Sequence, residues 1–226
     1  MPFHDIAARV ADVRVRIAMA AERGGRGQSV TIIAVTKTHG PEAVTAAWDA
    51  GLHDVGENRV QEALGKMAAV AAPVRWHLIG HLQRNKVRSL DRFDLLHSLD
   101  SERLSDAVSA FGLERGRPVD ALVQVNVVGE ASKGGFSLKD MEAEADRMAA
   151  RTGIRVRGVM AIAPLGADAS TLRCVFEGAR SACALLTRAG CPASELSMGM
   201  SNDYEIAVAE GATMVRLGTV LFGVRA

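Results

Sequence analysis

Aromatic residues and lysines are scarce in this chain of 226 residues: 4% are Phe, Trp or Tyr, Tyr204 is the lone tyrosine, and 5 of the 27 basic side chains are lysines. Acidic and basic residues interleave to a formal net charge of +1, and no basic run carries interspersed aromatics. Nothing therefore marks a surface for nucleic acid or anionic lipid. Cys174, Cys183 and Cys191 are an odd number and contain no Cys-x-x-Cys pair. That argues against a disulfide framework and a structural zinc site, and fits a reducing cytoplasm. The N-terminus, Met-Pro-Phe-His-Asp, lacks the charged start and apolar run of a signal peptide. No apolar run reaches the ~18 residues that would span a bilayer. A cytoplasmic protein is expected.

What is present is ordinary for a globular core, with 48% apolar and 23% charged residues. The length suits one large domain, and residues 1–226 are expected to form it, with no second domain. Ile6, Val10, Val13 and Ile17 recur at helical spacing and predict an amphipathic helix ending near Gly24 and Gly25. Beyond it, short β-branched runs alternate with helical patterns. Strands are expected at 31–37, 53–57, 75–80, 95–100, 121–127, 156–162, 195–200 and 214–223, with helical stretches between them such as the one opening at Pro41. Alternating units of this kind build a parallel sheet, and eight of them favour a closed (β/α)8 barrel over an open doubly wound sheet.

Such barrels carry their sites at the C-terminal ends of the strands, with phosphate often held after strands seven and eight. Lys37 closes the first strand behind the apolar run IIAVT. In an apolar mouth its charge would be poorly hydrated, its pKa would fall, and its neutral amine could attack an aldehyde. The plain alternative is a strand-end lysine reaching out to solvent. Ser197 to Ser201 and Gly218-Thr219 fall on the last two expected strands. Glycines allow close main-chain approach to a phosphate, and Ser201-Asn202-Asp203 is a helix N-cap signal that favours an anion. The same residues would serve as turn and cap without a ligand. An aldehyde and a phosphate in one mouth point to pyridoxal phosphate, with a lysine-dependent sugar-phosphate aldolase as competitor.

Seven runs carry a resemblance: AVTK at 34–37, GENRVQE at 56–62, WHLIGHLQRNK at 76–86, NVVGEASKGGF at 126–136, RGVMAI at 157–162, LSMGMSNDYEIAV at 196–208 and VRLGTVLFG at 215–223. Together, in this order, they resemble the pyridoxal phosphate homeostasis proteins, stand-alone relatives of the alanine racemase N-terminal domain. The resemblance implies a fold-type III barrel, with the cofactor as a Schiff base on Lys37. It implies phosphate contacts from Ser197, Met200, Ser201, Gly218 and Thr219. Asn58, His77 and Met160 match motif positions lining the same mouth. Arg216 is expected to face the cofactor, at either the ring nitrogen or the phosphate. His81 stands where the family often has proline, and Tyr204 is a second small departure.

The resemblance implies a cofactor buffer or carrier without an established catalytic activity. A weak racemase is the alternative. Racemisation needs a proton donor on each face of the substrate, and Lys37 supplies one. Apo pyridoxal-dependent enzymes are expected as transient partners, and a monomer is expected. His77 and His81, four apart on a strand running into a loop, do not form a metal pair. Trp48, Trp76 and most methionines read as packing residues. The run at 129–136 reads as a solvated basic loop around Lys133, or as a lid.

Overall fold

The computed structural model describes residues 3–130 and 133–223. Helix α1 spans Ile6–Gly24 and buries Ile6, Val10, Val13, Ile17 and Ala20 along one stripe. Gly25 ends it in the left-handed conformation, φ 61°, and its N–H donates to the carbonyls of Ala21 and Glu22. The strands are β1 (Thr31–Val35), β2 (Asp54–Glu57), β3 (Arg75–Leu78), β4 (Leu95–Leu99), β5 (Val119–Asn126), β6 (Phe136–Ser137), β7 (Ile154–Ala161), β8 (Glu195–Ser197) and β9 (Met214–Leu217). The other helices are α2 (Pro41–Asp49), α3 (Val60–Ala69), α4 (Glu102–Glu114), α5 (Met141–Ala150), α6 (Ala169–Arg188), α7 (Tyr204–Ala209) and α8 (Thr219–Phe222). A 3₁₀ segment covers Arg84–Arg92.

The strands pair in parallel in the order β4-β3-β2-β1-β9-β8-β7-β5, and β4 pairs with β5 to close the ring. This is the eight-stranded barrel expected from the count of βα units. The two-residue β6 is appended to β5. Two apolar layers hold it together. Most buried side chains lie between the barrel and its helices, among them Phe176, Leu104 and Met148. A smaller set, Ile33, Leu95, Leu122, Met160 and Met214, packs together as a separate cluster. Trp48 and Trp76 pack against a third cluster, Val44, Val55 and Val74, as their packing role required.

Most strands are shorter at their C-terminal ends than the sequence suggests. The first ends at Val35, so Lys37 stands in the turn that follows it rather than on the strand. The seventh expected strand ends at Ser197, because Gly199 takes φ 92° and turns the chain. The eighth ends at Leu217, and the β-branched and apolar residues after it wind into α8, with the Phe222 N–H donating to Gly218 O. A short apolar run does not distinguish strand from helix by its periodicity.

The loop after β5 is tied down rather than solvated. Asn126 Nδ2 donates to the carbonyls of Glu130 and Lys133, and Gln124 Nε2 donates to Gly134 O. Lys133 Nζ reaches Ala163 O at 3.1 Å and Glu130 at 2.7 Å. Ala131 and Ser132 of this run lie outside the described residues.

Helix α4 packs backbone to backbone on the turn before β7. A Cβ on Gly112 would lie 1.9 Å from Gly153 O. Gly112→Ala should therefore destabilise the fold by about 1–3 kcal/mol in urea denaturation, although alanine alone favours a helix by ~1 kcal/mol.

Candidate functional site

Barrel closure brings the turn carrying Lys37 beside two turns from near the other end of the sequence. β1 pairs with β9, Ala34 opposite Leu217, and β9 pairs with β8. The turn carrying Lys37 therefore rises beside the turn carrying Gly218 and Thr219. Gly218 lies directly against β1, and a Cβ built there would sit 3.5 Å from Val35 O. Lys37 is half-buried, Gly218 is half-buried and Thr219 is exposed.

The third turn follows β8. At Gly199 a Cβ would lie 2.6 Å from that of Ala207 and 2.9 Å from Tyr204 Cα, so only glycine lets the chain fold back onto α7 here. The turn is already organised around an anion. The Met200 N–H donates to Asp203 Oδ1 at 2.6 Å. Burial raises the Asp203 carboxyl, opposed by the Met200 N–H and by the charge of Arg216. Ser201 Oγ accepts the Val220 N–H at 3.3 Å and so joins this turn to the first turn of α8. Hydroxyls, main-chain N–H groups and side-chain-free glycine thus converge beside Lys37. That donor set fits a phosphate ester whose other end lies near an amine.

Beneath these turns the barrel holds a buried cation. Arg216 Nη1 donates to Ser197 O and Ser197 Oγ at 2.7 and 2.6 Å, and Nη2 donates to Ala161 O at 2.9 Å. Burial pushes its pKa down to about 10, partly countered by Asp203. Among the described residues no carboxylate forms an ion pair with it.

A hydrogen-bonded chain runs from Arg216 through Ser197 Oγ to His97 Nδ1 at 2.9 Å. From His97 Nε2 it continues to His77 Nδ1 at 2.9 Å, and from His77 Nε2 to Asp54 Oδ1 at 2.9 Å. Arg75 closes it from the surface at 2.7 Å. Donor capacity orders the chain. The Asp54 carboxylate only accepts and each neutral ring carries one N–H, so the Ser197 proton goes to His97 Nδ1. His97 then donates from Nε2 to His77, and His77 donates to the carboxylate. Burial first, then the electrostatic influence of His77 and of the Arg216 cation, holds the His97 pKa well below the usual histidine range, so His97 is neutral. Burial alone would raise Asp54, but the bonds from His77 and Arg75 outweigh it and hold that carboxyl low.

The ten residues singled out by sequence thus fall into two groups. Lys37, Asn58, Met200, Ser201, Gly218 and Thr219 follow strand ends at one end of the barrel. His77, Met160, Ser197 and Arg216 are buried on its strands. Asn58 follows β2 and crosses Gly80, where a Cβ would lie 2.3 Å from Asn58 O. Met160 packs in the smaller apolar cluster. Ser197 and His77 are not open at the mouth: the Ser197 hydroxyl and both His77 nitrogens belong to the buried chain. His81 turns elsewhere, to Asp100 at 2.7 Å. The sequence reading missed Asp54 and His97. His97 had a visible signal, a polar ring in the middle of the leucine-rich run LLHSL, where burial demands a partner.

Against known proteins, the sequence profile of the alanine racemase N-terminal domain matches residues 11–226. The pyridoxal phosphate homeostasis protein of Pseudomonas aeruginosa is 42% identical over 223 residues, covering 97% of this chain and 96% of that one. PipY of Synechococcus elongatus, solved with PLP bound, is 39% identical with a TM-score of 0.85, covering 96% of this chain and all of that one. Alanine racemase from Corynebacterium glutamicum shares the fold at a TM-score of 0.76 and 16% identity; the match covers 99% of this chain and 62% of the racemase.

Neutral His97 has a pH signature. Its folded pKa lies below its unfolded value of about 6.5, so acidification loads a proton on the unfolded chain first. Stability should fall as pH drops from about 6.5 toward the folded pKa. His97→Phe should flatten that slope in denaturation measured between neutral and acid pH, and an unchanged slope would show that His97 is not held neutral.

Proposed function

Because the chain belongs to the pyridoxal phosphate homeostasis protein family, built on the alanine racemase N-terminal domain, we propose that it binds pyridoxal 5′-phosphate and buffers or delivers it, holding it as a Schiff base on Lys37. The observation that carries this reading is the packing of Gly218 against Val35. It sets the Lys37 turn beside the Gly218-Thr219 turn, and Ser201 is bonded to the helix that follows.

When bound, the cofactor supplies an electrophilic aldehyde and an electron-withdrawing pyridine ring. The residues of the chain do the holding. Lys37 would hold the aldehyde carbon through its side-chain nitrogen. Ser201, Gly218, Thr219 and Met200 serve the phosphate end. The Met200 N–H would have to be surrendered by Asp203, and the Arg216 charge helps to keep that carboxylate ionised.

Arg216 belongs to the ring end. Its guanidinium is fixed to Ser197 and Ala161 inside the barrel, two residues before the Gly218 turn. A fixed cation facing the ring nitrogen keeps that nitrogen unprotonated and weakens the ring as a sink for a carbanion. That suits storage better than racemisation. Tyr204 cannot serve as the second proton donor from its present place: it is 4% exposed, on α7, the helix that packs against α1. Cytoplasmic location, a monomeric state and transient contact with apo enzymes complete the proposal. No helix among the described residues is long and apolar enough to cross a membrane.

The test is the visible spectrum of protein mixed with pyridoxal phosphate. The wild-type chain should show an absorbance band removed by borohydride, and Lys37→Ala should be colourless with much weaker binding. A Lys37→Ala protein that keeps the band at unchanged affinity would place the linkage on another lysine. Turnover of L-amino acids that depends on Lys37 would favour the racemase instead.

A further inference from the structure

Thr38 is the one non-glycine residue with positive φ among the described residues, at 67°. A β-branched side chain resists this conformation, and such residues persist only where their surroundings leave no alternative. Thr38 follows Lys37 directly, so what holds Thr38 also determines how Lys37 leaves the strand end.

The holding group is a buried ionic cluster on β2 and α3. Lys66 Nζ donates to Thr36 O at 2.7 Å, to Glu57 Oε1 at 2.6 Å and to Glu62 Oε1 at 2.9 Å. Thr36 Oγ1 donates to the same Glu57 oxygen at 2.5 Å, and the Thr38 N–H donates to Glu62 Oε1 at 2.5 Å. The Thr36 N–H is held by Gly56 O. The side chains of Lys66 and Glu57 are 5% and 0% exposed. Both neighbours of Lys37 are therefore gripped, one through its carbonyl and hydroxyl and the other through its N–H.

Burying such a cluster costs desolvation that apolar side chains would avoid, so stability alone is a poor reason for it. Glu57 Oε2 is buried with no hydrogen-bond partner, which shows that the cluster does not satisfy even its own acceptors. What its members share is the turn.

We propose that Lys66, with Glu57 and Glu62, forms a positioning lock for Lys37, fixing the strained Thr36–Thr38 turn so that the amine is presented at one angle toward the phosphate-binding turns. The inference rests on the reading of Lys37 as the covalent residue. It assigns a role to the acidic residues of the GENRVQE run and to the lysine of the helix that begins within it.

The experiment uses the full chain with two readouts. One is pyridoxal phosphate affinity from the visible band. The other is the acetic anhydride labelling rate of Lys37 in cofactor-free protein, measured by mass spectrometry. Lys66→Met should weaken affinity about tenfold or more, the scale of a lost charge-assisted hydrogen bond, and should change the Lys37 labelling rate. Adding Thr38→Gly to Lys66→Met should recover much of both, because glycine takes positive φ without strain.

A Lys66→Met protein that melts earlier but binds and labels as wild type would overturn the lock and leave Lys66 a packing residue. If Lys66→Met does not fold, Glu62→Ala carries the same test by removing the acceptor that the Thr38 N–H shares with Lys66, and unchanged affinity and labelling there would also overturn it. Lys37→Ala runs alongside. If it keeps the visible band, the reading of Lys37 itself fails; if it loses the band while Lys66→Met and Glu62→Ala match wild type, only the lock fails.

Discussion

A guanidinium inside a barrel must be compensated, because a buried charge without partners is costly. Arg216 meets this requirement with carbonyls and a serine hydroxyl, not with a carboxylate in contact. Much of the surrounding architecture follows from that choice. Ser197 turns its lone pair to Arg216 and its proton to His97. That fixes the tautomer of His97, which fixes that of His77, which points at Asp54 near the far end of the strands. The chain has a cation at one end and an anion at the other, and every bond between them runs in one direction. The result is a rigid positive centre facing the strand ends, where the anionic, electron-rich parts of a cofactor would be met.

The barrel contributes adjacency. Lys37 stands more than a hundred residues before the Met200–Ser201 and Gly218-Thr219 turns, yet all three follow neighbouring strands, β1, β8 and β9. Fixed on a closed sheet, they need no ordering when a ligand arrives, which lowers the entropic cost of binding. The site also lacks a tyrosine placed to exchange a proton, since Tyr204 is committed to helix packing.

The barrel itself was legible because apolar β-branched runs and helical periodicity alternate eight times, and because the motif runs occur in a fixed order. That Lys37 and the glycine-bearing turns lie at one end of the barrel was legible because the sequence puts them at the C-terminal ends of expected strands. The ends of the strands were not. TVLF after Gly218 has the composition of a strand and winds into a helix, and Lys37 falls in a turn because Thr38 adopts a conformation its side chain disfavours. Contacts closed only by the barrel were also hidden. His77 looks like a mouth residue until His97, twenty residues later, is seen to occupy its Nδ1. Nothing in the spacing of Thr36, Glu57 and Lys66 announces that they meet, and Lys133 looks solvated until Ala163 is found beside it.

The most direct test of this arrangement is a crystal structure of the chain with pyridoxal phosphate. Density should run unbroken from Lys37 Nζ, with the phosphate on the turns at Ser201 and Gly218-Thr219 and the ring nitrogen toward Arg216. A cofactor bound with its phosphate on Arg216, or attached to any lysine outside this mouth, would contradict the account.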